Sequence, residues 1–458
     1  MNFINELKWR GLVHDIMPGT EEQFKKEMTS AYIGFDPTSD SLHIGNLVQI
    51  MTLVHLQRSG HKPYVLVGGA TGMVGDPSGK NKERTLLETD TINYNLKCLK
   101  RQLQKFLNFD KSKNKAEIVN NYNWFDKFNF LDFIRDVGKH ISINYMMSKD
   151  SVKSRLESGM SFTEFSYQLV QGYDFYWLWK NKNCKVQLGG SDQWGNIVTG
   201  TELIRRKENG KAYAVTTPLI QKSDGGKFGK TESGNVWLDK RKTSVYKFYQ
   251  FWLNASDEDS KKYIYIFTLY SKDEIVELIA KHEESPHLRL LQKSIADEIT
   301  KRVHSNEELE IAKKASNILF GNSTEKDLKS LDEETFLSVF EGVSTTKIKI
   351  KDLEDSLLDL LVEKANVFTS KGEARRMLKA NAISVNKEKI NEDFKFSNKN
   401  LINSKYIIIQ KGKKKLLLNY RFIALINTIS NSLCFLLPNK MFVPFDKYIL
   451  TPKLPLTL

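Results

Sequence analysis

Apolar and polar positions follow two rhythms along the chain. In the first half, apolar runs of five residues alternate with longer stretches of helical spacing. Ala31–Phe35, Tyr64–Gly68 and Cys184–Leu188 read as strands buried on both faces. Ile44–Gln57, a stretch from about Arg84 to Leu107, and Asn196–Arg206 read as helices. This alternation predicts an α/β architecture, a Rossmann-type doubly wound parallel sheet covered by helices. Ligands in such sheets sit at the carboxyl ends of the strands, so chemistry is to be sought just after each apolar run. From about Ser244 to Leu319 the pattern is helical, and a polar stretch, Asn322–Glu334, follows. A small α+β module is expected next, with helices at Leu353–Ala365 and, opened by Ser370, at Gly372–Lys379. Its β-type runs are Ala382–Asn386 and Tyr406–Gln410. The expected divisions are 1–220, 221–330 and 346–418, with 419–458 unassigned, and no internal repeat is visible.

Composition narrows this only a little. A chain of 458 residues exceeds one ordinary domain. The excess of 69 Lys+Arg over 55 Asp+Glu, +14 in all, suits a polyanionic partner such as RNA or DNA but does not require one. Cys98, Cys184 and Cys434 are too dispersed for a metal site or a disulfide framework, which fits a reducing compartment. Met1–Gly19 lacks an apolar signal core. Phe422–Pro438 is short for a span and contains Asn427 and Asn431, so no membrane association is expected and the location expected is cytoplasmic.

The first chemical segment is Phe35-Asp-Pro-Thr-Ser-Asp-Ser-Leu-His-Ile-Gly-Asn46. A strand ends, Pro37 turns the chain, and a helix begins, offering unpaired N–H groups and a positive dipole end to an anion. His43 and Asn46 fall on that first turn, where both can aim donors at one phosphate, and Gly45 lets a flat purine approach. A capped helix start with an incidental His is the plain alternative. The second segment, Lys227-Phe-Gly-Lys-Thr231, lies in a glycine-rich stretch from Asp224 to Gly234. It suits a mobile cationic loop that closes over a triphosphate, although most such loops are merely solvated; its spacing is not that of a Walker loop. Elsewhere, Tyr167, Gln171 and Asp174 are spaced to share one helix face. Polar groups on a buried face need partners, either a polar substrate or an internal network.

Together the His-Ile-Gly-Asn and Lys-Phe-Gly-Lys-Thr segments resemble the paired signatures of class I aminoacyl-tRNA synthetases. Within that class the chain is similar to the bacterial tyrosyl-tRNA synthetases from about residue 1 to 418. The likeness is carried by Tyr32–Thr38, Gly68–Gly79, Tyr167–Asp174 and Gly189–Asn196. It implies that Tyr32 and Asp174 hold the tyrosine hydroxyl, that Asp76, Tyr167 and Gln171 hold its ammonium group, and that Gln193 meets its carboxylate and the α-phosphate. It implies an ATP site at Gly34, Asp36, His43, Gly45, Asn46, Gly190, Asp192 and Lys230. Thr38, His43, Asn46, Lys80, Arg84, Lys227, Lys230 and Thr231 would stabilise the leaving pyrophosphate. The chemistry implied is activation of tyrosine by Mg·ATP, then transfer to the 3′ end of tRNA(Tyr), with no tightly bound cofactor and no protein-bound metal. In the family signature a second His stands where this chain has Asn46, which keeps an N–H donor. Ile33 replaces a residue that is polar in some relatives, and Thr231 replaces a Ser but retains the hydroxyl.

Lys371, Arg375 and Lys379, with Arg376 beside them, form a basic stripe on one helix. Such a stripe docks on RNA backbone or simply solubilises a face. The resemblance implies tRNA binding, because an alpha-L type RNA-binding module occupies residues 346–418 in the family. It further implies a homodimer formed through an insertion around 129–165 of the catalytic domain, and an anticodon-side helical domain at 221–330. The readings set against these are a tryptophanyl-tRNA synthetase, a small nucleotidyltransferase, and an inactive RNA-binding protein on a synthetase scaffold.

Overall fold

Five strands, β1 (Ser30–Phe35), β2 (Lys62–Val67), β3 (Glu117–Asn120), β4 (Cys184–Gly190) and β5 (Tyr213–Thr217), make an all-parallel sheet in the order β3-β2-β1-β4-β5. The structure is a computed structural model that describes residues 2–78, 87–150, 152–153, 159–226, 228–231, 234–320, 324–341, 345–412 and 421–427, excepting the side chains of 231, 319–320 and 421–427. The chain divides into two units, Met1–Gly342 and Val343–Leu458, and the parallel sheet belongs to the first. It grows outward from β1 through β2 to β3 and then resumes on the other side of β1 as β4. The order therefore reverses between β1 and β4, which opens a crevice at their carboxyl ends. The parallel register sets Tyr32 opposite both Tyr64 and Gln187. A separate two-stranded ribbon, β6 (Lys230–Thr231) with β7 (Gly234–Asn235), follows in the same unit.

The helices follow from their apolar spacing and end signals. A tight turn at Ile44–Asn46 leads into α1 (Leu47–Arg58), apolar almost all round and buried as such. The amphipathic α2 (Thr89–Leu103) buries Ile92, Leu96, Leu99 and Leu103. It ends before Leu107 because the chain tightens there to i→i+3 bonds, Lys105 N to Gln102 O and Phe106 N to Leu103 O. Ser161 caps α3 (Phe162–Lys182), and Asn183, at φ 51°, ends it. Asn209 closes α4 (Trp194–Glu208) in the same left-handed conformation. Ser244 and Ser256 cap α5 (Val245–Leu253) and α6 (Asp257–Phe267), which pack with later helices into the same core as the sheet. The polar stretch Asn322–Glu334 is not a plain connector. It enters two short capped helices, Glu325–Lys329 and Glu333–Val339, that bury Leu328, Phe336 and Val339.

In the second unit, β8 (Thr345–Lys349), β9 (Ile383–Val385), β10 (Glu388–Lys389), β11 (Tyr406–Lys411) and β12 (Arg421–Asn427) form a sheet ordered β10-β9-β11-β12-β8. Helix α7 (Lys371–Lys379) covers the core made by Leu360, Leu361, Phe368, Ile383 and Ile409. Two expectations are corrected. Leu353–Ala365 is not one helix: a 3₁₀ turn ends at Glu354, Ser356 caps a fresh turn through the Asp359 amide, and a π turn follows in which Ala365 N reaches Leu360 O at 2.7 Å. The Ser356 side chain supplies the competing local bond that breaks the run. Second, residues 421–427, left unassigned, are a strand bonded antiparallel to β11 and parallel to β8.

Candidate active site

A cavity of about 560 Å³ occupies the crevice at the sheet's switch point. At its deep end stand Tyr32 from β1 and Asp174 from α3, each 1% exposed. The Tyr32 hydroxyl has no hydrogen-bond partner among the described residues. Asp174 is held by two donors, Trp124 Nε1 on Oδ1 at 2.9 Å and Asn121 Nδ2 on Oδ2 at 3.0 Å. Burial pushes the Asp174 carboxyl up to about 8 against the pull of these two donors. Burial, then the nearby Asp174, drives the Tyr32 phenol well above its ordinary range. A buried hydroxyl without a partner beside a carboxyl group whose oxygens have lone pairs to spare is a site for a group that both donates and accepts.

Nearer the mouth the site turns acidic. Tyr167 donates to Asp36 Oδ2 at 2.9 Å, and Thr71 Oγ1 donates to Asp36 Oδ1 at 2.6 Å. Burial first, and then Asp36 and Asp76, raise the Tyr167 phenol well above its usual value. Asp76 accepts from Gln193 Nε2 at 2.8 Å and from the Ser78 amide at 2.9 Å. Gln171, one turn along α3 from Tyr167, has a buried amide oxygen without a partner among the described residues. Asp36, Asp76, Asp174 and the Gln171 oxygen line one cavity, an arrangement complementary to a cation such as an ammonium group.

The same cavity is also lined by Gly34, Thr38, His43, Gly45, Asn46, Gly190 and Asp192. His43 and Asn46 form a reciprocal cap. Gly45 N donates to His43 Nδ1 at 3.0 Å, and His43 N donates to Asn46 Oδ1 at 3.0 Å. The imidazole proton therefore sits on Nε2, and what each side chain can offer a phosphate is His43 Nε2–H and Asn46 Nδ2. A side chain at Gly45 would crowd this cap, since a Cβ there would stand 2.8 Å from His43 Cε1. The Lys230 loop is the ribbon of β6 and β7. It contributes Asn235 to the cavity wall, whereas Lys230 is exposed and does not line it. Lys80, Arg84, Lys227 and the Thr231 side chain lie outside the described residues.

In the second unit α7 divides the expected basic stripe. Arg375, Arg376 and Lys379 are exposed. Lys371 instead pairs with Asp359 and Glu363. Lys411 is likewise engaged, by Glu373 at 2.5 Å.

A family model described as class I tRNA synthetases (W and Y) matches residues 25–321, and one described as the tyrosine–tRNA ligase SYY-like C-terminal domain matches 335–419. The chain belongs to the class I tRNA synthetases of this tryptophan and tyrosine family. A tyrosine–tRNA ligase of Flavobacterium johnsoniae is 62% identical over 421 residues, 90% of this chain and 98% of the relative. One from Bacteroides fragilis is 58% identical over 422 residues, with the same coverage. Among solved structures, a C-terminally truncated mitochondrial tyrosyl-tRNA synthetase of Aspergillus nidulans is 31% identical with a TM-score of 0.63, covering 70% of this chain and 94% of its own. The first class I signature segment thus lines the same cavity as the Tyr32–Asp174 pair, and the ribbon that carries the second reaches its wall through Asn235. Asn121, Trp124, Thr71 and Asn196 were not singled out in the sequence, although they hold Asp174, Asp36 and Asp76. Asn121 and Trp124 directly follow β3, so the strand-end rule that marked the other segments would have found them had Glu117–Asn120 been recognised as a strand.

Proposed function

We propose that the chain is a tyrosine–tRNA ligase that activates L-tyrosine with ATP to tyrosyl-AMP and pyrophosphate, then passes the tyrosyl group to the 3′ end of tRNA(Tyr). The observation that carries this reading is the buried Tyr32 hydroxyl without a partner among the described residues, facing the same cavity as the doubly held Asp174 carboxylate. A phenol satisfies both groups, donating to Asp174 and accepting from Tyr32. Phenylalanine would leave both unpaired, and an indole N–H can donate but not accept. The known rejection of phenylalanine by tyrosyl-tRNA synthetases, roughly 10⁵-fold, has this origin.

In the proposed reaction Asp76, Tyr167 and Gln171 hold the ammonium group, and Asp36 and Gly34 stand beside it towards the ribose. The tyrosine carboxylate, near Gln193, attacks the α-phosphate of Mg·ATP in line. Gly190 and Asp192 receive the ribose, and Gly45 lies against the purine. Thr38, His43, Asn46, Lys80, Arg84, Lys227, Lys230 and Thr231 draw charge onto the departing pyrophosphate, most strongly once that charge has developed. No side-chain nucleophile is needed, because positioning and charge stabilisation supply the catalysis. Residues 346–418 are proposed to bind tRNA through Arg375, Arg376 and Lys379, with Lys371 in a supporting pair. Within the first unit the proposed divisions are 1–220 and 221–330, and the 346–418 module is extended to take in the strand at 421–427. A homodimer is proposed through 129–165, supported by Phe130 at 62%, Leu131 at 75%, Ile143 at 65% and Phe162 at 69% exposure. Among the described residues no helix is long and apolar enough to cross a membrane, and the proposed location is the cytoplasm.

The deciding experiment is amino-acid-dependent ATP–pyrophosphate exchange, run with tyrosine, phenylalanine and tryptophan in parallel. Exchange with tyrosine alone is expected. Exchange with tryptophan instead, or with none of the three from well-folded protein, overturns the assignment.

A further inference from the structure

The loop that carries Lys230 is gripped at two adjacent residues. Phe228 sits in an aromatic box on α5 and α6: its ring is stacked 5.3 Å from Phe267 at 15°, 5.1 Å from Tyr263, and 6.0 Å from both Phe251 and Trp252. Gly229, at φ +80°, presses on the first signature segment so closely that a Cβ would lie 3.0 Å from Ile44 Cγ1 and 3.5 Å from Gly45 N. The same region is laced by main-chain bonds. Val236 N donates to Gly229 O at 3.0 Å, Ile44 N to Val236 O at 3.0 Å, and Leu238 N to Leu42 O at 2.8 Å. One residue faces the helical pack, the next faces the His43 turn, and Lys230 follows.

We infer that Phe228 is a positioning residue for tyrosine activation: its seat in the aromatic box fixes the start of the loop, so that Gly229 turns against Ile44 and Lys230 is delivered to the phosphates. The inference rests on the proposed role of Lys230. Glycines at 225, 226, 229 and 234 give this stretch wide backbone freedom, and something must select one arrangement when charge develops. A half-buried ring among four aromatic neighbours gives the loop an apolar hold on the helices that the glycines cannot provide. Phe228 does not line the tyrosine cavity, so its loss acts on loop placement and not on the ground-state binding of tyrosine.

The test is pre-steady-state formation of tyrosyl-adenylate, with the tyrosine dissociation constant measured in parallel, for Phe228→Ala, Phe228→Tyr, Phe267→Ala, the double variant Phe228→Ala/Phe267→Ala, and Lys230→Ala. Expected is a fall of about 10- to 100-fold in the activation rate for Phe228→Ala, the size set by misplacing one catalytic group, with tyrosine affinity unchanged. Phe228→Tyr restores most of the rate, and the double variant is no slower than the slower single one, because both remove the same contact. An unchanged rate in Phe228→Ala while Lys230→Ala falls at least ~10²-fold overturns the anchor and spares the role of the lysine. An unchanged rate in Lys230→Ala overturns the role of the loop and the anchor with it. A Phe228→Ala defect matched by an equal loss of tyrosine affinity reports general damage and also overturns the inference.

Discussion

Trp124→Phe isolates one hydrogen bond in the tyrosine pocket. The indole Nε1–H donates to Asp174 Oδ1 at 2.9 Å inside a buried shell, while the indole plane stacks on Trp177 at 4.2 Å and 13°. Phenylalanine keeps an aromatic ring against Trp177 and removes the donor. A hydrogen bond to a charged buried acceptor contributes about 1.5–3 kcal/mol. Its loss destabilises the ionised Asp174 that a tyrosine hydroxyl would donate to, so tyrosine affinity is expected to fall about 10- to 100-fold. The pH dependence has a definite sign. Burial raises the Asp174 carboxyl to about 8, above its ordinary 3.8. Between about pH 4 and 8 the folded chain therefore holds a proton that the unfolded chain has already released. The stability this contributes is fully present below that window and is lost as pH rises through it. Tyrosine binding favours the ionised form and so strengthens over the same rise, and with one donor gone the variant needs a higher pH to reach its plateau. Titration calorimetry of tyrosine from pH 6 to 9, on wild type and Trp124→Phe, reads both effects. An unchanged dissociation constant with the same pH profile would show that Asp174 is not the acceptor of the tyrosine hydroxyl.

Three further outcomes are expected. Replacing Leu131 and Ile143, 75% and 65% exposed, by Asp should shift the chain from dimer to monomer in sedimentation velocity at equal concentration; a wild-type monomer, or a variant that still sediments as a dimer, rejects the proposed interface. Changing Arg375, Arg376 and Lys379 together to Ala should leave ATP–pyrophosphate exchange intact and weaken tRNA binding, with roughly one unit of salt slope lost per phosphate contact removed; an unaltered slope assigns those side chains to solvent. Deleting 421–458 removes β12, which is bonded to β11 on one side and β8 on the other. Amide exchange at 345–349 should then rise towards the unprotected rate, and unchanged protection there would mean that β8 does not depend on β12.

The alternation of apolar runs and helical stretches, the strand ends and the two signature segments were legible because each is local: a period of two or 3.6 positions, a cap, or a short motif whose residues are neighbours in the chain. The stripe Tyr167–Gln171–Asp174 was legible for the same reason, since one helix face is a sequence period. The serine cap read at 370 opens a helix in the structure. Those features were determined by the sequence alone. What only the tertiary structure decided are the pairings between distant residues. Asn121 and Trp124 reach Asp174 across about fifty positions, and Gln193 reaches Asp76 across 117. Lys371 lies in the basic stripe by spacing, yet it is drawn away by Asp359 and Glu363. The run Leu353–Ala365 has helical spacing, but Ser356 restarts it and a core that takes both Leu360 and Leu361 widens its last turn. Residues 421–427 carry no motif, and they become a strand because β11 and β8 offer edges on both sides. Local pattern fixes which elements can form and which groups they present. Burial then decides which partners those groups take, because a polar side chain withdrawn from water must bond to whatever the fold brings beside it.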